Sequence, residues 1–268
     1  MIRKPISRTA EVFYMAISIV AIVGAYSFMS YRQHLTNELD TTIPNLRQFI
    51  VGWEKLIGAD SAGNYWLIKD SMATGQRLFL GLLAGVITSF FIGVGMGVHP
   101  PIEFLFKIPI SILGKIPATA MLAVYFVLFG TETKMYVAMI AGGITPGLTM
   151  AIYRATRTDV TDHAIYKAYT LGASSYEVIW EVVVKQILPR IIDSVSLCVG
   201  PALVFLIAAE WNTADVGFGY RLRIQSRLLN MNVVYTYLMV LGCFGFFVEW
   251  GFNLLRQKWC PWFDLDRN

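Results

Sequence analysis

Residues 78–98 read LFLGLLAGVITSFFIGVGMGV, twenty-one positions with no charge and five glycines. A run of eighteen or more apolar residues without charge reads as a membrane-spanning helix. Gly81, Gly85, Gly93 and Gly95 leave room for a neighbouring helix to approach closely. Five more runs can be read the same way. Val12–Met29 holds eighteen residues without a charge, about 27 Å of helix at about 1.5 Å per residue. Ile116–Gly130 is interrupted by Pro117 and preceded by Lys115; it reads as a third span extending back through 108–114, or as a re-entrant segment. Met135–Tyr153 contains Pro146 and Gly147, the run at 192–209 contains Asp193 and Pro201, and Val233–Leu255 carries Glu249 near its end. Proline and glycine are tolerated inside spans because neighbouring helices satisfy the freed backbone groups.

The composition agrees. Of 268 residues, 56% are hydrophobic and 15% charged, against about 45–50% and about 25% in soluble domains. A soluble enzyme and a disordered chain are both disfavoured. The net charge of +4 is too small and too dispersed for nucleic-acid binding. Cys198, Cys243 and Cys260 show no metal-ligand or disulfide spacing, and no metal site is expected. The fold expected is an all-α integral membrane protein of about six transmembrane helices. Arg3, Lys4 and Arg8 precede the first run, as in a signal peptide. However, the run is longer than a signal core and no small-residue cleavage site follows, so it reads as an uncleaved first span.

With the N-terminus inside, thirteen Lys and Arg fall in inner segments and nine in outer ones, which favours both termini in the cytoplasm. Lys107 and Lys115 count as inner loop residues here, Arg221, Arg223 and Arg227 as outer ones. The divisions expected are a cytoplasmic N-terminus (1–11), a first span (12–29), an outer loop (30–77), a core of five spans (78–255) and a cytoplasmic tail (256–268). In the outer loop, Leu46, Phe49, Ile50, Trp53 and Ile57 give a helix with one apolar face, expected to lie on the membrane surface.

The inner loop 154–192 carries the most information. A helix is expected from an N-cap at Asp162 to Gly172, which stops it as glycine does after a helix. Ser174-Ser175-Tyr176-Glu177 then fits a capping box, opening a second helix with Ile179, Val183 and Ile187 on one face, ending at Pro189. A connection of this length with its own structure is usually functional.

Tyr166-Lys167-Ala168-Tyr169-Thr170-Leu171-Gly172-Ala173-Ser174, closed by Pro189, resembles the EAA loop of permease subunits in binding-protein-dependent ABC importers. It is most similar to the nitrate/sulfonate/taurine/bicarbonate type. Ala208-Ala209-Glu210 with Gly217-Phe218-Gly219-Tyr220 resembles the acidic residue and glycine-rich block after the fifth span of that group. Pro117 with Phe129-Gly130 resembles its third span, and Glu249 with Pro261-Trp262 its end. The EAA triplet departs from the pattern, reading Tyr166-Lys167-Ala168 without an acid, and Lys185 replaces a proline; the glycine is kept. The resemblance implies a type I ABC importer-like permease with a cytoplasmic helix–Gly–helix coupling loop. It implies that Tyr166, Lys167, Ala168, Gly172, Ala173, Ser174 and Pro189 serve coupling to a cytoplasmic ABC ATPase dimer. It also implies a second permease copy, an extracytoplasmic solute-binding protein, membrane lipid as surroundings and a bacterial inner-membrane location. Pro117, Glu210, Gly217, Gly219, Tyr220 and Arg221 become candidates for a gate or translocation path, with Arg221 and Arg223 as attractors of an anionic solute or as solvated loop charges.

The chain has no G-x-x-x-x-G-K-[ST], so it is expected not to be an enzyme; ATP and Mg would belong to the partner, with no cofactor in this chain. His34, His99 and His163 fall in expected loops, and the middles of the spans are expected to be free of charge. A gradient-driven secondary transporter and a non-transporting membrane assembly protein are the rival readings. The first needs ionisable groups at mid-membrane and often repeated halves; the second needs no helix–glycine–helix loop. Near the span ends, Asp193, Glu210 and Glu249 are functional candidates, or partners of Arg190, Arg221 or Arg256.

Overall fold

The computed structural model describes residues 7–38, 40–58, 63 and 65–265, with side chains to 263. Arg3, Lys4 and Arg267, which entered the orientation count, lie outside the described residues. The helices are α1 (Arg8–Thr36), α2 (Leu46–Ile57), α3 (Trp66–Val98), α4 (Pro100–Leu113), α5 (Leu122–Phe129), α6 (Thr133–Thr158), α7 (Asp162–Thr170), α8 (Ser175–Glu177), α9 (Lys185–Thr213), α10 (Phe218–Arg227), α11 (Met231–Trp259) and α12 (Pro261–Leu265). A 3₁₀ turn, Ala118–Met121, leads into α5, and a π-helical stretch, Val178–Val184, joins α8 to α9. Among the described residues, five helices are long and apolar enough to cross a membrane. The pair 100–113 and 118–129, bent by 84°, makes up to six. The chain divides into two compact units, Met1–Trp66 with Ile224–Leu238, and Leu67–Arg223 with Met239–Asn268.

In the first unit, among the described residues, α1 is anchored near its C-terminal end. Tyr26 donates to the Pro44 carbonyl at 2.8 Å and Ser30 to that of Ile43 at 3.1 Å. Its most apolar stretch is wholly exposed, with Phe13, Val20 and Ile22 bare, as suits a face in contact with lipid. His34 lies inside α1 rather than in a loop. Asn45 caps α2 in a capping box with Gln48. Of the apolar positions read on α2, Phe49 and Trp53 are half-buried, while Leu46, Ile50 and Ile57 are exposed; Gly52 and Leu56 are the buried residues of the helix. Gly52 is required here: a Cβ would lie 2.7 Å from both the Asn232 carbonyl oxygen and Thr236 Oγ1. Beside it, Tyr26, Phe49 and Tyr235 form a ring triangle. Asp40 accepts from the Thr42 hydroxyl, the Gln33 amide and the Thr42 N–H. Those bonds, led by the Thr42 hydroxyl, hold its carboxyl down at about 2.

The second unit is built on α3, α6 and α9. Positions for a Cβ on Gly81, Gly85, Gly93 and Gly97 meet Ile140, Ile144, Ile152 and Thr156 respectively. The offset is constant, so α3 and α6 run parallel, in register, with small residues on one helix receiving branched side chains of the other. Gly95, read with that stripe, instead faces Ile102 of α4 at an ordinary 3.5 Å. α9 runs antiparallel to α6: Tyr136 meets Thr213 through their hydroxyls at 3.1 Å, and Gly143 meets Phe205. Leu78, Met139, Ile140, Ile144, Ala202 and Leu206 fill one buried cluster, and Leu148, Ile152, Val183, Ile187 and Ile191 the next.

The parallel register decides the third span. Val98 ends α3 level with Arg157, whereas Thr133 starts α6 level with Thr74. The 99–132 segment must therefore return about 36 Å along the bundle. It is one broken crossing: α4 rises to Gly114, breaks at Lys115–Pro117, and continues through the 3₁₀ turn and α5.

The inner loop differs from expectation. Only 159–161 and 171–174 are non-helical between α6 and the fifth span, because the second short helix never ends. Residues 175–213 form one continuous helix. Pro189 is buried inside it between buried Ile187 and Ile191; packing on both sides outweighs the missing N–H and holds the helix through the proline. The N-cap of α7 is Thr161, without a side-chain cap bond, and Asp162 is the first-turn acid. The Ser174–Glu177 capping box is present, Ser174 N–H donating to Glu177 Oε2 at 2.7 Å.

Candidate functional site

Two places gather the candidate side chains. At one end of the second unit, α7 projects with none of its residues buried. Its C-terminus is a Schellman turn: Gly172 N–H donates to Tyr169 O at 3.0 Å and Ala173 N–H to Ala168 O at 3.1 Å. Gly172 sits at φ +87°, the left-handed region that glycine enters freely. Ile165 packs with Ile179 against the core and seats the helix. Tyr166, Lys167, Gly172 and Ser174 stay exposed, Ala168 and Ala173 are half-buried, and Leu171 is 80% exposed. Pro189 is not part of this surface. Tyr176, Trp180 and Phe90 form a series of tilted ring contacts, with centroids 6.0 and 5.8 Å apart, from the exposed turn into the bundle.

At the other end a polar knot joins α3, α9 and α10. Glu210 is 0% exposed. Its carboxylate accepts from Arg77 Nη1 at 2.8 Å, from the Thr74 hydroxyl at 3.0 and 3.1 Å, and from the Gly219 N–H at 3.0 Å. Asp70, also fully buried, accepts from the Gly217 N–H at 3.0 Å and from Arg221 Nε at 2.9 Å. The Phe218 N–H donates to Thr74 Oγ1, and Arg77 reaches the Val216 carbonyl and lies 4.2 Å over the Tyr136 ring. Two carboxylates and two guanidiniums thus balance in a buried site, each held by further hydrogen bonds, which is the condition under which buried charges persist. Gly217 has φ +124°, and a Cβ there would lie 2.6 Å from the Glu210 carboxylate.

The knot brings together Glu210, Gly217, Gly219 and Arg221. Tyr220 is half-buried beside it, under Arg221 and Arg223. Pro117 lies elsewhere, at the break between α4 and the 3₁₀ turn. Glu210 pairs with Arg77, not Arg221, because Arg221 is committed to Asp70. Nor are Arg221 and Arg223 solvated loop charges: Arg223 donates to the Asn212 and Ala214 carbonyls at 3.0 Å. Asp193 pairs with Arg256 at 2.9 Å, and Glu249 is exposed. Sequence reading missed Asp70, Thr74 and Arg77, which share one face of α3 at helical spacing. A search for uncharged runs stops at Arg77 and discards the two turns before it.

A second polar cluster lies at the α7 end of the bundle, where α4 starts and α6 ends. Lys107 and Lys115 do not occupy an inner loop; both belong to the broken crossing. Glu103 accepts from Lys107 at 2.8 Å, from the Tyr153 hydroxyl at 2.5 Å and from Arg157 at 2.7 Å.

These features define a polytopic all-helical permease, with a broken third crossing and a short exposed helix at one end of the bundle. The chain belongs to the binding-protein-dependent transport system inner membrane component family, which it matches over residues 78–259. It is similar to the taurine transport system permease protein TauC of Escherichia coli (strain K12), 26% identical over 69% of this chain and 67% of that one. Among solved structures, it resembles an inward-facing conformation of the MetNI methionine ABC transporter. The TM-score is 0.66 at 14% identity, covering 75% of this chain and 99% of that one. It also resembles an amino acid ABC transporter, at a TM-score of 0.55 and 17% identity, covering 78% and 94%. The chain is therefore a permease subunit of the ABC importer class.

Proposed function

We propose that this permease carries a small anionic solute across the bacterial inner membrane, using ATP hydrolysed by a separate cytoplasmic subunit that docks on α7. The observation that carries the reading is α7 itself. It is a short helix seated by Ile165, locked by the Gly172 turn, and left with Tyr166 and Leu171 bare. Bare aromatic and aliphatic side chains on a rigid projecting helix are what a groove in a partner receives. Movement of that groove would pass through the ring series Tyr176–Trp180–Phe90 into α9 and α3.

In this reading α7 and both termini are cytoplasmic, and the knot end faces outward toward a solute-binding protein. A second permease copy completes the path. The knot fixes the outer ends of α3 and α9 to α10 and supports a gate rather than contacting solute. Anionic cargo is supported by the taurine permease relative, whose named substrate carries a sulfonate.

The test is purification of the tagged chain from its own host in mild detergent. A nucleotide-binding ATPase should accompany it, and Gly172→Val should keep the chain in the membrane while transport stops and ATP hydrolysis loses its response to solute. Normal uptake by that variant removes α7 from the coupling role.

A further inference from the structure

The break in the third crossing opens beside a cavity of about 540 Å³, lined from α4, the 3₁₀ turn, α6 and α9. Its depth follows from packing. A Cβ on Gly114 would lie 3.3 Å from the Pro146 Cβ, and Pro146 is the midpoint of α6. Lys115 therefore stands halfway along the bundle. Arg154, eight residues further along α6 and about 12 Å deeper, lines the same cavity.

These two are the only ionisable side chains with full charge among the lining residues, and both are cations. Every nearby carboxylate on the packed elements is engaged elsewhere: Glu103 by Lys107 and Arg157, Asp159 by Arg190. Lys115 and Arg154 have no ion pair among the described residues. A lysine at mid-depth without a counter-charge is costly in a membrane, and such residues mark solute pathways. The lining also supplies Ser111, open glycine backbone at Gly147, and Tyr125, whose hydroxyl covers Gly142, so a compact solute can approach the backbone closely at Gly147.

We propose that Lys115 and Arg154 form a two-step anion site in the translocation path. Lys115 holds the carboxylate or sulfonate of the solute at the helix break, and Arg154 draws it on toward the α7 end. The proposal rests on the importer reading and names the residues that give it charge selectivity.

The experiment needs no knowledge of the solute. Ser111, exposed in the cavity, is replaced by cysteine in the full-length chain in native membranes. It is labelled with an anionic reagent, sulfonatoethyl methanethiosulfonate, and a cationic one, trimethylammonioethyl methanethiosulfonate. Rates are normalised to those with a free thiol, and labelling of the native cysteines is subtracted using the chain that keeps Ser111. The anionic reagent should be favoured. Lys115→Gln and Arg154→Gln should each lower that preference roughly threefold or more, while Lys115→Arg keeps it. No preference, a preference that survives both neutral variants, or an unlabelled Ser111→Cys would overturn the proposal. Failure of ATPase co-purification would instead strike the importer reading, so the two outcomes are separable.

Discussion

Glu210 illustrates how a single residue is held. Three donors converge on a carboxylate that water does not reach. Removing one partner of such a pair leaves the other charge buried and costs about 3–5 kcal/mol. Glu210→Ala should therefore lower the thermal midpoint of the detergent-solubilised protein sharply. Glu210→Leu combined with Arg77→Met should recover much of the loss; equal stability of Glu210→Ala and the parent would show that the knot is not structural. Asp40 offers a pH test of the first unit. Its carboxyl is depressed to about 2 from 3.8 in the open chain. A depressed acid contributes stability that is complete above about pH 4 and is lost as pH falls through 2. Protection of the Thr42 amide from hydrogen exchange, relative to its intrinsic rate, should thus be constant above pH 4 and decline below it. Asp40→Asn should abolish that dependence.

At the scale of elements, the parallel contact between α3 and α6 depends on absent side chains. A Cβ on Gly85 would sit 2.6 Å from Ile144 Cδ1 and 3.3 Å from Ala141 Cα, so one methyl already overpacks the seam. Gly85→Ala should cost about 1–3 kcal/mol, read as a lower unfolding midpoint. Ile144→Val or Ile144→Ala in the same chain should offset part of it, since the clash is with that side chain; strict additivity would show the seam lies elsewhere. α7 makes a different demand. At Gly172 the limit is backbone conformation, because no atom lies within 4 Å of its Cβ position. A β-branched residue at φ +87° costs on the order of 1–2 kcal/mol, enough to loosen the turn without emptying the bundle. The expected damage is to coupling, not to membrane abundance.

For the whole molecule, the testable quantity is the number of crossings. A parallel α3 and α6 require an odd number of crossings between them, and the broken pair supplies one. Cysteines introduced at positions 99 and 130, which flank the broken pair, should therefore react with an impermeant reagent from opposite sides of the membrane, and those at 130 and 171 likewise. Accessibility of 99 and 130 from one side would make the third segment re-entrant and reverse the count.

Much of this was legible without coordinates. Apolar runs of span length, the glycine after α7 and the capping box at Ser174 are local signals, set by hydrophobicity and by backbone chemistry within a few residues. The extra turns of α3 were not legible. Asp70 and Arg77 look too polar for a span until Glu210, Gly217 and Arg221 arrive from more than a hundred residues away to neutralise them. Pro189 misled for a related reason: a proline breaks an isolated helix, but not one buried on both sides. The sequence by itself determined the membrane class, the helical segments and the permease family, because those depend on composition, short-range periodicity and a compact motif. Only the tertiary structure decided that the third segment crosses once, that Glu210 belongs to a buried knot, and that Lys115 stands unpaired at mid-depth. Those depend on which helices lie side by side and in what register, and that register is set by packing between residues far apart in the chain.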